Sequence, residues 1–209
     1  MRGVKRYGLI NVDLELATEL GGATLEQAKQ KYFKVHKRLF DGLEDIDKNL
    51  YDIVLIDCPP NFNIVTKNAI VASDYILIPA KPDYLSTMGI DYLRRSLNEL
   101  INNFNEFAKL GSEDEVEKTI KPEILGVIFT MVQFYNNRPI STIRPFIAQT
   151  KKLGIPVFES YIRENKTMFA DAPQYGIPVV LLGNQQGTYR QVVSEIEEFV
   201  TEFEKKLKL

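Results

Sequence analysis

The chain has 209 residues, of which 44% are hydrophobic and 26% are charged, and its formal net charge at pH 7 is -2. This composition is ordinary for a globular protein, and the length fits one domain over residues 1–209. The small net charge excludes a general attraction to nucleic acid or anionic lipid, so such contacts require a local basic patch. The single cysteine, Cys58, excludes an internal disulfide, and no apolar run approaches the roughly 18 residues of a membrane span. We therefore expect a cytoplasmic protein.

Short β-rich runs alternate with longer helical patterns along the chain. The first predicted elements are a short strand leading into a helical turn over residues 7–16, a helix over 24–48 after Gly21-Gly22 and the N-cap candidate Thr24, a strand over 53–56 and a helix over 64–72. A strand over 75–79, a helix over 85–110, an acidic loop over 111–115, a strand over 124–131 and a helix over 140–153 follow. The last elements are a strand over 156–159, an edge strand or extended segment over 178–182, and a helix that carries Val192, Ile196 and Phe203. This order predicts a three-layer α/β/α domain with a mainly parallel sheet.

The first strand end carries a candidate metal ligand. Residues 53–56 are continuously aliphatic, as in a strand buried on both faces of a parallel sheet, and Asp57 follows them. A carboxylate at this position can hold the water shell of Mg²⁺, which is the physical form of a Walker B motif. Many buried strands also end in an aspartate that only forms a turn, so this feature alone leaves both interpretations open. The Pro59-Pro60 pair favours the metal site because it fixes a rigid turn where nucleotide switch loops lie.

Several segments of this sequence together resemble the ParA/Soj-type partition ATPases, which belong with MinD to the deviant Walker A class of P-loop proteins. The similar segments are Asp57-Cys58-Pro59-Pro60, Thr66-Lys67-Asn68-Ala69, residues 72–79, Tyr84-Leu85-Ser86, Gly89-Ile90, residues 126–131, residues 157–165, Ala170-Asp171-Ala172-Pro173 and Gly176-Ile177-Pro178-Val179. The resemblance covers nearly the whole chain from about residue 8, and the shared order of the segments makes it specific.

The resemblance implies a role in plasmid or chromosome segregation. In the intact form we expect binding of ATP with Mg²⁺, homodimerisation around the nucleotide, non-specific DNA binding and stimulation by a ParB-like partner. It implies that Asp57 holds the Mg²⁺ water shell, and that Pro59 and Pro60 set the switch geometry. The resemblance also places Thr130 and Met131 near the base of the bound nucleotide, and Arg163 and Glu164 at the nucleotide or dimer face. Alternatively, Arg163 and Glu164 form a surface ion pair.

The sequence lacks the phosphate-binding half of such a site. The family begins with a strand and a loop of the form K-G-G-x-G-K-[ST], whose amides and lysines bind phosphate, and the only double glycine here, Gly21-Gly22, has no such lysine. We therefore expect the chain alone not to hydrolyse ATP at a useful rate. The missing strand would lie beside the Walker B strand, so apolar strand edges should be uncovered. Our hypothesis is a truncated or split reading frame, or a chain that needs a partner to supply the strands.

A locally basic stretch lies within residues 137–166. Its candidate DNA-binding residues are Arg138, Arg144, Lys151, Lys152 and Lys166. They predict either non-specific binding to DNA phosphates or a solvated helix face. Phe134-Tyr135 beside them is either an exposed loop tip that contacts a partner or a turn with an aromatic ring in the core.

Two other residues have weaker claims to chemistry. Cys58 is expected to be a small buried residue, because no base accompanies it, and His36 is expected to be a solvated or partly packed helix residue.

The alternative function is a non-enzymatic module that keeps a dimer or DNA surface without nucleotide. A MinD-type membrane regulator is disfavoured because residues 195–204 are acidic.

Overall fold

The computed structural model describes residues 25–46, 50–109, 118–136, 138–181 and 187–208, without the side chains of Leu25 and residues 171–175. The predictions for residues 7–16, Gly21-Gly22, Thr24, the acidic loop 111–115 and Asn137 lie outside the described residues. The chain divides into two compact units. One comprises Met1–Asp74 with Arg94–Pro122, and the other comprises Tyr75–Leu93 with Glu123–Leu209.

The first unit is helical in its described part. It contains α1 (Leu25–His36), α2 (Arg38–Glu44), α3 (Ile64–Val71) and the second half of α4 (Tyr84–Ala108). The helix predicted over 24–48 is confirmed from Leu25 to Glu44, with an interruption at Lys37, and residues 45 and 46 are no longer helical. Asn63 begins α3, because its Oδ1 accepts hydrogen bonds from the backbone N–H groups of Val65 and Thr66.

Aromatic rings form the core of this unit. The Tyr32 ring stacks on Phe107 at 4.5 Å between centroids, and Phe33 meets Phe104 edge-on at 5.0 Å. Burial raises the pKa of Tyr32 to about 12. The Asn68 Nδ2 donates to the Val35 carbonyl at 2.9 Å, which ties α3 to α1.

The second unit is built on a parallel sheet. Its three strands, β1 (Tyr75–Ala80), β2 (Glu123–Val132) and β5 (Val157–Arg163), lie in the order β1-β2-β5. A short antiparallel hairpin, β3 (Phe134–Tyr135) with β4 (Arg138–Pro139), follows β2. The remaining elements are α5 (Arg144–Lys152), α6 (Lys166–Tyr175), a 3-10 turn (Val179–Leu181) and α7 (Thr188–Leu207).

The central strand β2 is covered on both faces. Val127 and Phe129 pack in a cluster with Ile90 of α4 and Ile147 of α5. Leu125 and Ile128 point to the other face, where Phe158 of β5 and the α7 side chains Phe199, Phe203 and Leu207 lie. This arrangement confirms the predicted α/β fold with helices on both faces of a parallel sheet.

Local interactions fix the start of α4, which follows β1, and the end of α5, which precedes β5. At the start of α4, the Asp83 Oδ1 accepts from the Ser86 N–H at 2.8 Å, and this bond chiefly lowers the pKa of Asp83. At the end of α5, Gly154 adopts a φ of +72°, which favours glycine after a helix C-terminus.

Side chains of α7 close the outer edge of β5. Between the register pairs Val127↔Val157 and Phe129↔Tyr161, β5 has extra residues and bulges away from β2. The freed N–H groups of Glu159 and Ser160 both donate to the Glu202 carboxylate, and the Ser160 Oγ donates to it at 2.7 Å. The edge strand is thereby protected from pairing with another chain.

Three expectations from the sequence are wrong or incomplete. Residues 53–56 are not a buried strand: they pair with no other described segment, and Val54 and Leu55 are 52% and 80% exposed. A strand exists only where a neighbour satisfies its backbone, and the described residues offer none here. The segment 178–182 forms the 3-10 turn Val179–Leu181 instead of a strand in its described part, and α6 was not predicted.

Gly126 permits the closest approach between β2 and β5. A Cβ at this position would lie 2.8 Å from Cε2 of Phe158, which is fully buried. We predict that Gly126→Ala lowers the free energy of unfolding by about 1–3 kcal/mol, because a buried ring must move. Urea unfolding followed by circular dichroism measures the change.

The control for this substitution is Gly89→Ala in α4. No atom lies within 4 Å of its virtual Cβ, so alanine should stabilise the helix by about 0.5–1 kcal/mol. Equal effects of the two substitutions would contradict the close approach at Gly126.

The Glu202 clamp should make stability depend on pH. Burial alone would raise the pKa of Glu202, but hydrogen bonds from Ser160 and Glu159 and the Lys206 charge together lower it below its ordinary 4.5. A lowered folded-state pKa contributes stability that is present above 4.5 and is lost as the pH falls. Glu202→Gln should therefore be less stable than the unsubstituted chain at neutral pH, and this difference should shrink in acid.

Thermal unfolding across pH measures that difference. Glu197→Gln, at an exposed glutamate of the same helix, is the matched control and should leave the pH profile unchanged. A Glu202→Gln deficit that stays constant down to acid pH would show that the carboxylate charge does not hold β5.

Candidate functional site

The carboxyl ends of β1, β2 and β5 meet at one edge of the sheet. The three strands are parallel, Ala80 lies beside Phe129, and Val132 lies beside Arg163. The Glu164 N–H donates to the Val132 carbonyl at 3.0 Å, and the Gln133 Nε2 donates to Glu164 Oε2 at 2.9 Å. In open parallel sheets this edge is where ligands bind.

Thr130 and Met131 lie in a bulge at this edge. From Phe129 to Val132 the chain advances three residues, while β5 advances two from Tyr161 to Arg163. Met131 takes a φ of +55°, in the left-handed region that non-glycine residues rarely adopt, and its side chain is 57% exposed. Such bulges redirect side chains next to functional sites. The structure therefore brings the base-side candidates Thr130 and Met131 next to the end of β5, where Arg163 and Glu164 lie.

Arg163 is engaged by the protein itself. Its guanidinium contacts the Glu195 carboxylate through Nη2 at 2.6 Å and Nε at 2.7 Å, and its Nη1 donates to Gln191 Oε1 at 2.6 Å. The same group lies over the Phe134 ring at 5.0 Å. The side chains of Arg163 and Glu195 are only 16% and 13% exposed, so this ion pair is largely withdrawn from solvent.

Glu164 differs from its neighbour. Its carboxylate accepts from Gln133 and lies 3.9 Å from the Lys166 Nζ, in a half-exposed position. Phe134 packs against the core and is half-buried, whereas Tyr135 is 74% exposed. The hairpin thus combines both sequence alternatives, with one aromatic ring in the core and one at an exposed tip.

Asp57 lies in the first unit, in an exposed segment before α3. The turn after it is held by the Asn61 N–H, which donates to the Pro59 carbonyl at 2.8 Å, and by the Thr66 Oγ1, which donates to the Asn61 carbonyl at 2.7 Å. These bonds join the Pro59-Pro60 turn to the first turn of α3, in which Thr66 is buried. The residues that follow Asp57 are therefore held by hydrogen bonds, and Asp57 itself is exposed to solvent.

The expectation that Cys58 is buried is wrong, because the residue is exposed. Partial desolvation and the adjacent Asp57 carboxylate raise the pKa of its thiol, so the thiol stays protonated at neutral pH. His36 is half-buried as expected. Its ring stacks on Tyr32 at 4.0 Å, and burial chiefly lowers its pKa, with a further contribution from Lys67 and an opposing bond to the Tyr32 carbonyl.

The five basic candidates all lie in the second unit. Arg144 and Lys151 are seven residues apart on α5 and so share a helix face. Lys151 pairs with Glu159 at 3.2 Å, the Arg144 Nε donates to the Pro139 carbonyl, and Lys166 is 88% exposed near Glu164. Arg138 and Lys152 are exposed. Part of this positive charge is already neutralised by carboxylates.

Within the described ranges, no group of three or more His, Cys, Asp or Glu side chains is placed to hold a metal ion. In the same ranges, no helix is both long and apolar enough to cross a bilayer. A magnesium ion bound through one protein carboxylate and phosphate oxygens would need no such cluster.

Comparison with known proteins identifies relatives. The sequence model of a family described as an AAA domain matches residues 7–110. The chain is 29% identical over 167 residues to the chromosome partitioning protein ParA of Caulobacter vibrioides, covering 78% of this chain and 54% of that protein. It is also 29% identical over 181 residues to the sporulation initiation inhibitor protein Soj of Bacillus subtilis, covering 85% and 62%. The chain thus spans little more than half the length of these relatives.

Solved structures share the fold. An ATP complex of a McdA variant from Cyanothece superposes with a TM-score of 0.63 at 20% identity, covering 88% of this chain and 61% of that one. Apo McdA from the same source gives a TM-score of 0.55 at 22% identity, covering 93% and 64%. At these identities the likeness concerns the α/β fold alone.

Proposed function

The chain belongs to the ParA/MinD-type family of partition ATPases, and from that premise we propose that it carries the metal-binding and base-side parts of a partition ATPase. In the intact form the protein would bind ATP with Mg²⁺, dimerise around it, bind DNA without sequence preference and respond to a ParB-like partner. The observation that carries the proposal is the parallel-sheet edge at which the bulged Thr130 and Met131 meet the end of β5. The expected cytoplasmic location, on the nucleoid, and the organisation of residues 1–209 as one domain belong to the same proposal.

Asp57 is the proposed metal-site residue. Its carboxylate is exposed, and the hydrogen-bonded turn at Pro59 and Pro60 fixes the chain that leaves it. One carboxylate suffices for Mg²⁺ when the remaining ligands are water and nucleotide phosphates. Such a site positions the metal but does not itself bind the phosphates.

The phosphate-binding loop must then come from outside these 209 residues, because their sequence contains no K-G-G-x-G-K-[ST]. We propose that a strand bearing this loop pairs with residues 53–56. The exposure of Val54 at 52% and Leu55 at 80% supports this, since an aliphatic β-branched run in water is stabilised by a neighbouring strand. The loop can belong to the same polypeptide or to a partner chain.

Near the base of the nucleotide, we assign Thr130, Met131 and Glu164 to the rim of the nucleotide pocket. We assign Arg163 to support of that rim, because Glu195 and Gln191 already hold its guanidinium. For DNA, we assign Arg138, Arg144, Lys152 and Lys166 to phosphate contacts. Lys151 contributes less in this proposal, since its ammonium group pairs with Glu159.

Nucleotide hydrolysis tests the proposal. The chain alone should hydrolyse no ATP above background, since it lacks the groups that stabilise the transition state. A fusion of residues 1–209 behind the part of Bacillus subtilis Soj that precedes the matched region should hydrolyse ATP only with Mg²⁺. In that fusion, Asp57→Asn should lower the rate roughly 100-fold, because the metal loses its protein carboxylate. Phosphate release at a fixed Mg²⁺ concentration measures the rate.

Asp52→Asn is the matched control, at an exposed carboxylate five residues earlier. It should leave the rate unchanged, and equal losses in the two variants would remove Asp57 from the metal site. If the fusion binds DNA equally well with and without ATP and hydrolyses none, the chain is instead a non-enzymatic binding module.

A further inference from the structure

Arg163 connects three elements of the second unit. It ends β5, its guanidinium is held by Glu195 and Gln191 of α7, and the same guanidinium covers the Phe134 ring of β3. The pair has little solvent exposure, so the Coulombic attraction between Arg163 and Glu195 is screened less than at an open surface. The contact therefore joins the C-terminal helix to the hairpin through one side chain.

The hairpin packs against the Arg163 guanidinium through Phe134, and its Pro139 carbonyl also accepts from the Arg144 Nε. It has only two residue pairs, Phe134↔Pro139 and Tyr135↔Arg138, and an isolated two-stranded hairpin of this size has little stability of its own. The Ile140 N–H donates to the Gln133 carbonyl at 3.0 Å at its base. Phe134 packs against the core on one side and beneath the guanidinium on the other, so it is the anchor of the hairpin.

The tip of the hairpin is presented to solvent. Tyr135 is 74% exposed, Arg138 is exposed, and Asn136 takes a left-handed φ of +49°. Because the hairpin directly follows the Thr130–Met131 bulge, a displacement of the hairpin also alters the end of β2.

Two glutamates of α7 contact β5, and only one of the two also contacts the Arg163 side chain. Glu195 and Glu202 are seven residues apart and therefore lie on one face of α7. Both accept hydrogen bonds from backbone N–H groups of β5, Glu195 from Arg163 at 2.9 Å and Glu202 from Glu159 and Ser160. Glu195 alone of these two also holds the Arg163 guanidinium.

We propose that Glu195 is a positioning residue that sets the hairpin at the end of β2 through Arg163, so that the C-terminal helix controls the loop presenting Tyr135 and Arg138. The contacts that Glu195 and Phe134 make with Arg163 carry the positioning role. Its consequence for DNA rests on the proposed function, in which Arg138 contacts phosphate.

Hydrogen exchange of the full chain tests the positioning role. Glu195→Gln keeps the side-chain size but places an amide N–H₂ against an Arg163 donor, so the guanidinium loses its carboxylate partner and is left with the Gln191 contact. The peptide covering residues 133–140 should then exchange roughly tenfold faster, since local opening becomes easier. Phe134→Leu should accelerate the same peptide while leaving α7 unchanged, because it removes the ring and spares the helix contacts.

Glu202→Gln is the matched control: it removes the other glutamate clamp of α7 without touching Arg163. It should accelerate exchange around residues 158–160 and leave the hairpin unchanged. Equal acceleration of the hairpin in Glu195→Gln and Glu202→Gln would overturn the proposal, because Glu195 would then only attach the helix. An unchanged hairpin in Glu195→Gln would also overturn it.

DNA binding provides a separate result. If the intact protein binds DNA, Glu195→Gln should weaken binding and Glu202→Gln should not, with affinities compared at one salt concentration. If the unsubstituted protein binds no DNA, the DNA part of the proposed function fails, while the exchange result still decides the positioning role.

Discussion

Every backbone group at the edge of a sheet needs a partner, and this requirement organises the whole chain. At β5 the partners are the α7 carboxylates Glu195 and Glu202, which accept the N–H groups that pairing with β2 leaves free. With this edge closed, β2 is buried between helices on both faces. Residues 53–56, by contrast, are aliphatic and largely exposed, and no described strand pairs with them. In its described part the chain therefore combines a sheet whose outer edge is covered with a strand-like run that has no neighbouring strand.

Local signals in the sequence predicted most of the elements. The helical pattern over residues 85–110 predicted α4, in which Leu97, Phe104 and Phe107 are buried. The strand predicted over 124–131 corresponds to β2, which the structure covers on both faces. Residues 53–56 carry the same kind of signal without becoming a strand, because periodicity reports apolar character and cannot report whether a partner is present. The helix α6 had a signal in Asn165, whose Oδ1 accepts from the Met168 N–H as an N-cap does.

The candidate site was less predictable, because its geometry depends on contacts between distant residues. The resemblance identified Thr130, Met131 and Arg163, but no local pattern announces the bulge that separates Phe129 from Val132. Arg163 and Glu195 are 32 residues apart in the chain, so their ion pair could not be inferred from spacing. The pair favours our proposal that Arg163 supports the rim of the site instead of contacting nucleotide. Cys58, expected to be buried, is exposed because none of the described elements covers the run before it.

Residues 53–56 have no strand partner among the residues that the structure describes, while β2 has partners on both sides. Hydrogen exchange of the unsubstituted chain under native conditions tests it most directly, by comparing amides of residues 53–56 with those of residues 125–129. We predict that the first group exchanges close to the rate of an unstructured peptide, and that the second exchanges only through global unfolding. Protection of residues 53–56 equal to that of β2 would contradict the account, since it would show that the chain already supplies the missing neighbour.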